Sequence, residues 1–460
     1  MTLSRTLVRR SAELRAARLP DAVAHAARLH LLDAIGVGLA ASQGAQGHAY
    51  RTFAAGLPAG GPATLFGAGR GAGAADAALV NGGLIHSLEF DDTHTESIVH
   101  GSAVLAPAAL AVAEAHGASG AAMLGSYARA WEMLIRVGLA ARGRFQQRGF
   151  QVTSVGGAMA AALIAAELSG LAEDQSVAAL GIALSQGSGV FEFLSNGSSV
   201  KSLHPGWAAH GGVIAAQFAK AGMGGPETAF EGRFGLFMSF AGAPDAADAF
   251  GRELADLGTH WRLPDAAFKF HPCCHYLHPF IEAAGRLAED GVRADRVETL
   301  LCRAPAGAAP IVCEPWGEKS APPTSHAARW SLPVAVAARL VDGRVDLATF
   351  EDPLNPAALA LAQRIRWEPL AEDRFPQAFE AEIVCVTADG QTRTVRIDDV
   401  YGNRSRPAGD AAVRAKFRAN AGLALSAESV AALEAAIDHL DEAPDLRAVT
   451  AALRGPSPAL

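Results

Sequence analysis

The sequence predicts a mostly α protein. One large all-helical domain, residues 1–262 and 408–460, is interrupted by a smaller α+β domain over residues 263–407. Three observations predict it. Up to about residue 260 the chain has an Ala/Leu/Gly texture with helical spacing. After Trp261, strand-like runs appear around an Asp-Gly turn pair. From about Ala411 the helical texture returns.

The elements follow in order. The first twenty residues carry basic groups but no apolar core, so they read as a short amphipathic helix rather than a signal peptide. Asp21–Ser42 puts Val23, Ala27, Leu31 and Ile35 one turn apart, just after Pro20. Gly69, Gly71 and Ala74 match a loose GxGxxG/A pattern. With no βαβ unit around them they read as a glycine loop, not a nucleotide site. Ser102 is placed to cap the helix that follows it, and that helix N-terminus is a ready seat for a carboxylate. Gly156–Leu171 and Ala178–Leu184 are apolar on nearly every side, as buried helices are. No strand is expected before Trp261.

Beyond it, Pro279–Glu289 and Ser331–Leu340 read as helices and Val297–Arg303 as a strand. Ala378–Thr387 and Gln391–Asp398 flank Asp389-Gly390, a pair that favours a type I′ hairpin. Ser426 is placed to cap a helix over Val430–Leu440.

Composition narrows the function. Half of the 460 residues are hydrophobic, which excludes intrinsic disorder, and the net charge of −8 argues against a nucleic-acid or membrane-surface binder. An anionic ligand must then be held by a few local cations. Five cysteines without a CxxC pair suggest neither a disulfide framework nor zinc. The apolar runs stop short of a membrane span, so a reducing, cytoplasmic setting is expected.

Only five of the 39 basic residues are lysines, and two of these, Lys201 and Lys269, sit in windows that also hold histidines. A lysine desolvated between domains can lose its proton near neutrality, which arginine cannot. Eight of the 15 histidines fall in three windows: His86, His94 and His100; His204 and His210; His271, His275 and His278. Imidazole suits proton transfer near pH 7. Asp91 and Asp92 stand ready to orient a histidine or to act as acid or base. Metal binding is not expected, because Pro272 interrupts the HxxxH spacing of His271 and His275.

The segments VNGGLIHSLEFDDTH, HGSAVLAPAAL, SSVKSLHPGWAAHGG, FKFHPCCHYLHP and WSLPVAVAARLVDG, in this order, resemble the MmgE/PrpD family. That family includes 2-methylcitrate dehydratase, cis-aconitate decarboxylase and iminodisuccinate epimerase. The resemblance implies that the α+β domain is a lid, that the protein is a homodimer with its site between the domains, and that catalysis uses no metal or organic cofactor. It implies a small di- or tricarboxylate substrate and a carbanion beside a carboxylate. His100 and Lys201 would transfer protons, Lys269 would hold an anion, and Asp91 would orient or act as a second acid/base. Thr93 or Thr95, Gln151, His204 and His275 would contact substrate.

The chain departs from the family pattern at Gln151, where histidine is common. It departs again at His275, where arginine commonly follows the cysteine pair, and at Val334, where tyrosine is common. A dehydratase or other lyase is the leading expectation; an epimerase, a decarboxylase and a carboxylate binder without chemistry are the alternatives.

Overall fold

Small side chains let helices approach closely, and the first half of the chain is built on that. The computed structural model describes residues 1–455. About 58% of the chain is helical. Val152–Leu168 lies at the centre, packed against Ser102–His116, Gly120–Ala141, Glu173–Leu184 and Leu203–Lys220. Every residue from Val152 to Ala166 is buried. Where Leu203–Lys220 crosses Ala74–Ser87, glycine meets glycine: a Cβ on Gly206 would lie 2.2 Å from the Leu79 carbonyl oxygen, and one on Gly82 2.7 Å from Gly206 Cα. Alanine at either position would push the helices apart. The Asp21–Gln43 helix is long and apolar enough to cross a membrane, yet 78% of its apolar window is buried inside the fold.

The buried apolar side chains form two main clusters. One runs from Leu7 to Ala266 and resumes from Phe417 to Leu453. The other takes in Cys273 to Ile397. The Asp410–Ala421 helix lies along Asp21–Gln43, and Ser426 caps Ala427–Asp438 by accepting from the Ser429 amide.

Six strands are present among the described residues. β1 (Ala63–Thr64) and β2 (Gly71–Ala72) form a small hairpin around the glycine loop, where the sequence suggested no strand; two residues are too few to show alternation. The second sheet has the order β4-β3-β5-β6, with β3 at Val297–Ala304, β4 at Ile365–Pro369, β5 at Ala381–Thr387 and β6 at Thr392–Ile397. β5 and β6 pair as the expected hairpin, with Gly390 at φ +81° in the turn. Residues along β5 alternate between buried and half-buried. β4 runs parallel to β3 at the sheet edge. It is not legible beforehand, because only Ile365 in it is buried and it ends on a proline.

Candidate active site

The Ala74–Ser87 helix ends just before a loop, Leu88–His100, that contributes Glu89, Thr93, Ile98 and His100 to the site. Its sharpest local feature is backbone strain. Glu89 (φ +53°) and Ile98 (φ +56°) are the two non-glycine residues in the left-handed region among the described residues. Both line a cavity of about 690 Å³, whose wall also takes in Cys274 and Trp330 of the second apolar cluster. Such conformations cost roughly 1–3 kcal/mol each and persist only where their surroundings enforce them.

Here the enforcement is visible. Three successive carbonyls past the helix end are each held by a buried cation. Arg329 Nη1 donates to Leu88 O at 2.9 Å, Lys269 Nζ to Glu89 O at 3.2 Å and Lys416 Nζ to Phe90 O at 2.7 Å. Cations suit this position because the helix C-terminus carries partial negative charge and unpaired carbonyls. Arg329 also holds Pro272 O at 2.6 Å, and Lys416 meets Asp33 at 2.8 Å. Lys416→Met is therefore expected to cost roughly 3–5 kcal/mol, because Asp33 is left as a buried unpaired carboxylate. Adding Asp33→Asn should recover part of that loss. Urea unfolding of both variants checks it, and equal stability of the single variant and the parent would contradict it.

The charged heart of the cavity is one carboxylate shared by two lysines. Lys201 Nζ lies 2.5 and 2.6 Å from the two Glu89 oxygens, and Lys269 Nζ is 3.8 Å from Glu89 Oε2. Lys201 comes from a 3₁₀ turn at Ser199–Ser202, with its ammonium 5.2 Å from the centre of the Trp330 ring. Lys269 is delivered by an antiparallel bridge between Thr93 and Ala267. Burial pushes the Glu89 carboxyl up, but Lys201 and then Lys269 outweigh it and hold it down at about 2. For Lys269, burial lowers the pKa, yet Glu89 and Asp91 overcome it and the net shift is upward. With its pKa raised, Lys269 keeps its proton near neutrality.

His100 supplies the complementary group. Its Nδ1 lies 3.0 Å from the Asp92 carbonyl oxygen and 3.0 Å from Thr93 Oγ1. A carbonyl only accepts, so the proton sits on Nδ1 and the lone pair on Nε2. Burial and the nearby Lys269 push the ring pKa down to about 3, which keeps it neutral. The Thr153 hydroxyl accepts from the His100 amide at 2.9 Å and fixes the backbone.

The two aspartates each orient a histidine. Asp91 accepts from His86 Nδ1 at 2.8 Å and Asp92 from His30 Nδ1 at 2.8 Å. Asp91 is fully buried beside His86 and is not on the cavity wall. Burial raises its pKa, but His86 and Lys269 hold it well below the carboxylate range. From His86 a directional chain continues. Gln151 Nε2 donates to His86 Nε2 at 3.2 Å, and Gln151 Oε1 accepts from His204 Nδ1 at 2.7 Å. Gln151 lines the cavity and His204 stands behind it, with burial pushing its ring pKa down to about 4. The His86 ring also leans on His100, centroids 5.1 Å apart.

Other expectations fare differently. Thr93 lines the cavity and Thr95 does not. Ser102 does not cap its helix; its hydroxyl bonds Asp92 and Tyr127, and the Asp92 carboxylate accepts from the Ser102 amide at 3.2 Å. The seat expected for a substrate carboxylate at that helix N-terminus is thus filled by the chain's own side chain. His275 reaches the cavity but neither ring nitrogen has a partner, and burial drives its pKa well down. Val334 belongs to the second apolar cluster and borders a different surface hollow. Cys274 lines the cavity, its thiol pushed up by burial. Among the described residues no group of three or more His, Cys, Asp or Glu is arranged to hold a metal.

Glu89, Arg329 and Lys416 were missed by sequence reasoning. The one available hint was indirect: scarce lysines gathered in a buried site need a carboxylate to pair with.

Strained backbone and buried charge gathered on one cavity mark a candidate active site. Comparison with known proteins identifies its lineage. The MmgE/PrpD N-terminal domain model matches residues 5–248 and the MmgE/PrpD C-terminal domain model residues 271–442. The chain is 30% identical to human cis-aconitate decarboxylase over 414 residues, covering 83% of this chain and 80% of that one. It is 28% identical to the mouse protein of the same name over 411 residues, 83% and 78% of the two chains. A cis-aconitate decarboxylase-like protein of Aspergillus oryzae is 27% identical over 464 residues, 96% and 95% of the two chains. The chain belongs to the MmgE/PrpD family and is an MmgE/PrpD-type enzyme.

Proposed function

We propose that the protein is a lyase that acts on a small di- or tricarboxylate through a carbanion beside a carboxylate, with dehydration as its reaction. One observation carries this reading: the cavity wall holds two lysines, Lys201 and Lys269, against one carboxylate, Glu89, with Arg142 also on the wall and paired to Glu96. Such a wall draws an anionic substrate and stabilises negative charge that develops on it. The neutral His100 takes the α-proton at Nε2. Lys269 steadies the carboxylate into which the electron pair delocalises. The Lys201 ammonium gives a proton to the departing hydroxyl, so water leaves and a double bond forms. These side chains supply both proton transfers themselves.

Decarboxylation is the second reading, favoured by the relatives named above. The same carbanion then arises by loss of carbon dioxide and is protonated in place. Epimerisation fits less well, because it needs a proton donor on the opposite face, and the Gln151 amide cannot act as one.

The test is a panel of di- and tricarboxylates followed by NMR in deuterium oxide, reading C–H exchange, alkene formation and carbon dioxide loss together. Lys201→Ala should lower turnover about 10²–10⁴-fold. Wild-type turnover by that variant, or no change in any polycarboxylate, would overturn the proposal.

A further inference from the structure

The cavity is larger than its charged groups need, and the surplus is apolar. Glu89, Lys201 and Lys269 contact one another and Thr93 touches His100, so these groups form polar clusters, with Arg142, Gln146, Gln147 and Gln151 as further polar members of the wall. The remaining wall includes Phe191, Phe193, Leu194, Ile311, Trp330 and Phe375. Three of these side chains are continuous: Phe191 meets Phe193 at 5.7 Å, Phe193 meets Trp330 at 6.4 Å, and Trp330 carries the Lys201 ammonium. The apolar wall continues into an adjoining hollow of about 420 Å³, which shares Phe193, Leu194, Pro310 and Trp330 with the main cavity. Leu194 remains 38% exposed there.

A small tricarboxylate is polar along its whole length and would leave this wall facing water. At about 690 Å³ the main cavity falls in the range that encloses drug-sized ligands. Resting on the carboxylate reading above, we infer that the substrate carries an apolar side chain of several carbons, laid along Phe191, Phe193 and Trp330 while its carboxylates face Lys201 and Lys269. Each methylene buried against such a wall tightens binding roughly fourfold.

Calorimetric titration of the full chain with succinate, butylsuccinate, hexylsuccinate and hexanoate tests this. Butylsuccinate should bind on the order of 10²-fold more tightly than succinate, with a further gain for hexylsuccinate. Phe191→Ser should flatten that dependence on chain length. If succinate binds and hexylsuccinate binds no better, the tail is wrong and the carboxylate reading stands. If hexanoate binds as well as hexylsuccinate, the tail stands and the dicarboxylate reading falls. Binding by none of the four removes both, and a slope unchanged in Phe191→Ser overturns the tail assignment.

Discussion

Glu89→Gln is expected to lower kcat/KM by about 10²–10³-fold and to destabilise the fold, because the two losses have one origin. Glutamine has the same shape and meets the positive φ of position 89 no differently, so backbone strain is unchanged. What disappears is the negative charge between Lys201 and Lys269, all three groups being buried. Removing one member of a buried ion pair leaves the others uncompensated, at roughly 3–5 kcal/mol. Lys269 then loses the largest of the interactions that raise its pKa, with Asp91 the next. The sign follows directly: with less negative charge nearby, the ammonium gives up its proton at lower pH. Any step that needs a charged Lys269 should therefore fail earlier as pH rises. Rate profiles on a turned-over carboxylate, with thermal unfolding alongside, measure both effects. An alkaline limb that stays in place would show that the carboxylate does not control the lysine.

What could be read beforehand divides along physical lines. Burial and periodicity are properties of composition, so the Asp21–Gln43 and Val152–Leu168 helices and the β5–β6 hairpin were legible to within a few residues. Scarcity was informative too. Lys201 and Lys269 stood out because the chain otherwise uses arginine, and both line the cavity with Thr93 and His100. Glu89 was hidden because its importance lies in a backbone angle and in two partners 112 and 180 residues away. The same holds for Arg329 and Lys416, whose role is to hold carbonyl oxygens, groups with no signature of their own in a sequence. Asp91 was recognised as polar and well placed, but whether it faces substrate or backs His86 depends on which way a helix end turns. The hydrogen-bond direction through Gln151 likewise exists only once His86 and His204 lie on its two sides.

Lowering the pH from 7.5 to 5 is expected to remove on the order of 5–10 kcal/mol of stability, most of what a folded protein has. Burial holds several histidines neutral: His94 and His100 are pushed down to about 3, His204 and His326 to about 4, and His275 and His278 well below the usual value. Unfolded, each would titrate near 6.5. The unfolded chain thus binds more protons between about 6.5 and 4, so these groups contribute stability that is present above 6.5 and lost as pH falls. Each histidine accounts for about 2 kcal/mol by pH 5. Three carboxyls work the other way. Burial raises Asp33 to about 6 and Glu132 to about 7, and raises Asp265 as well, so each favours the folded state as pH drops. Three such groups offset only part of the six. Glu89, held near 2, adds its own loss only at lower pH. Urea midpoints across this range measure the slope. His278→Phe should make it shallower by up to about 1.4 kcal/mol per pH unit, one proton's worth, because His278 is buried with Nε2 unpartnered and its ring 4.7 Å from His275. A stability profile flat from pH 7.5 to 5 would mean that these imidazoles find water or partners in the folded state.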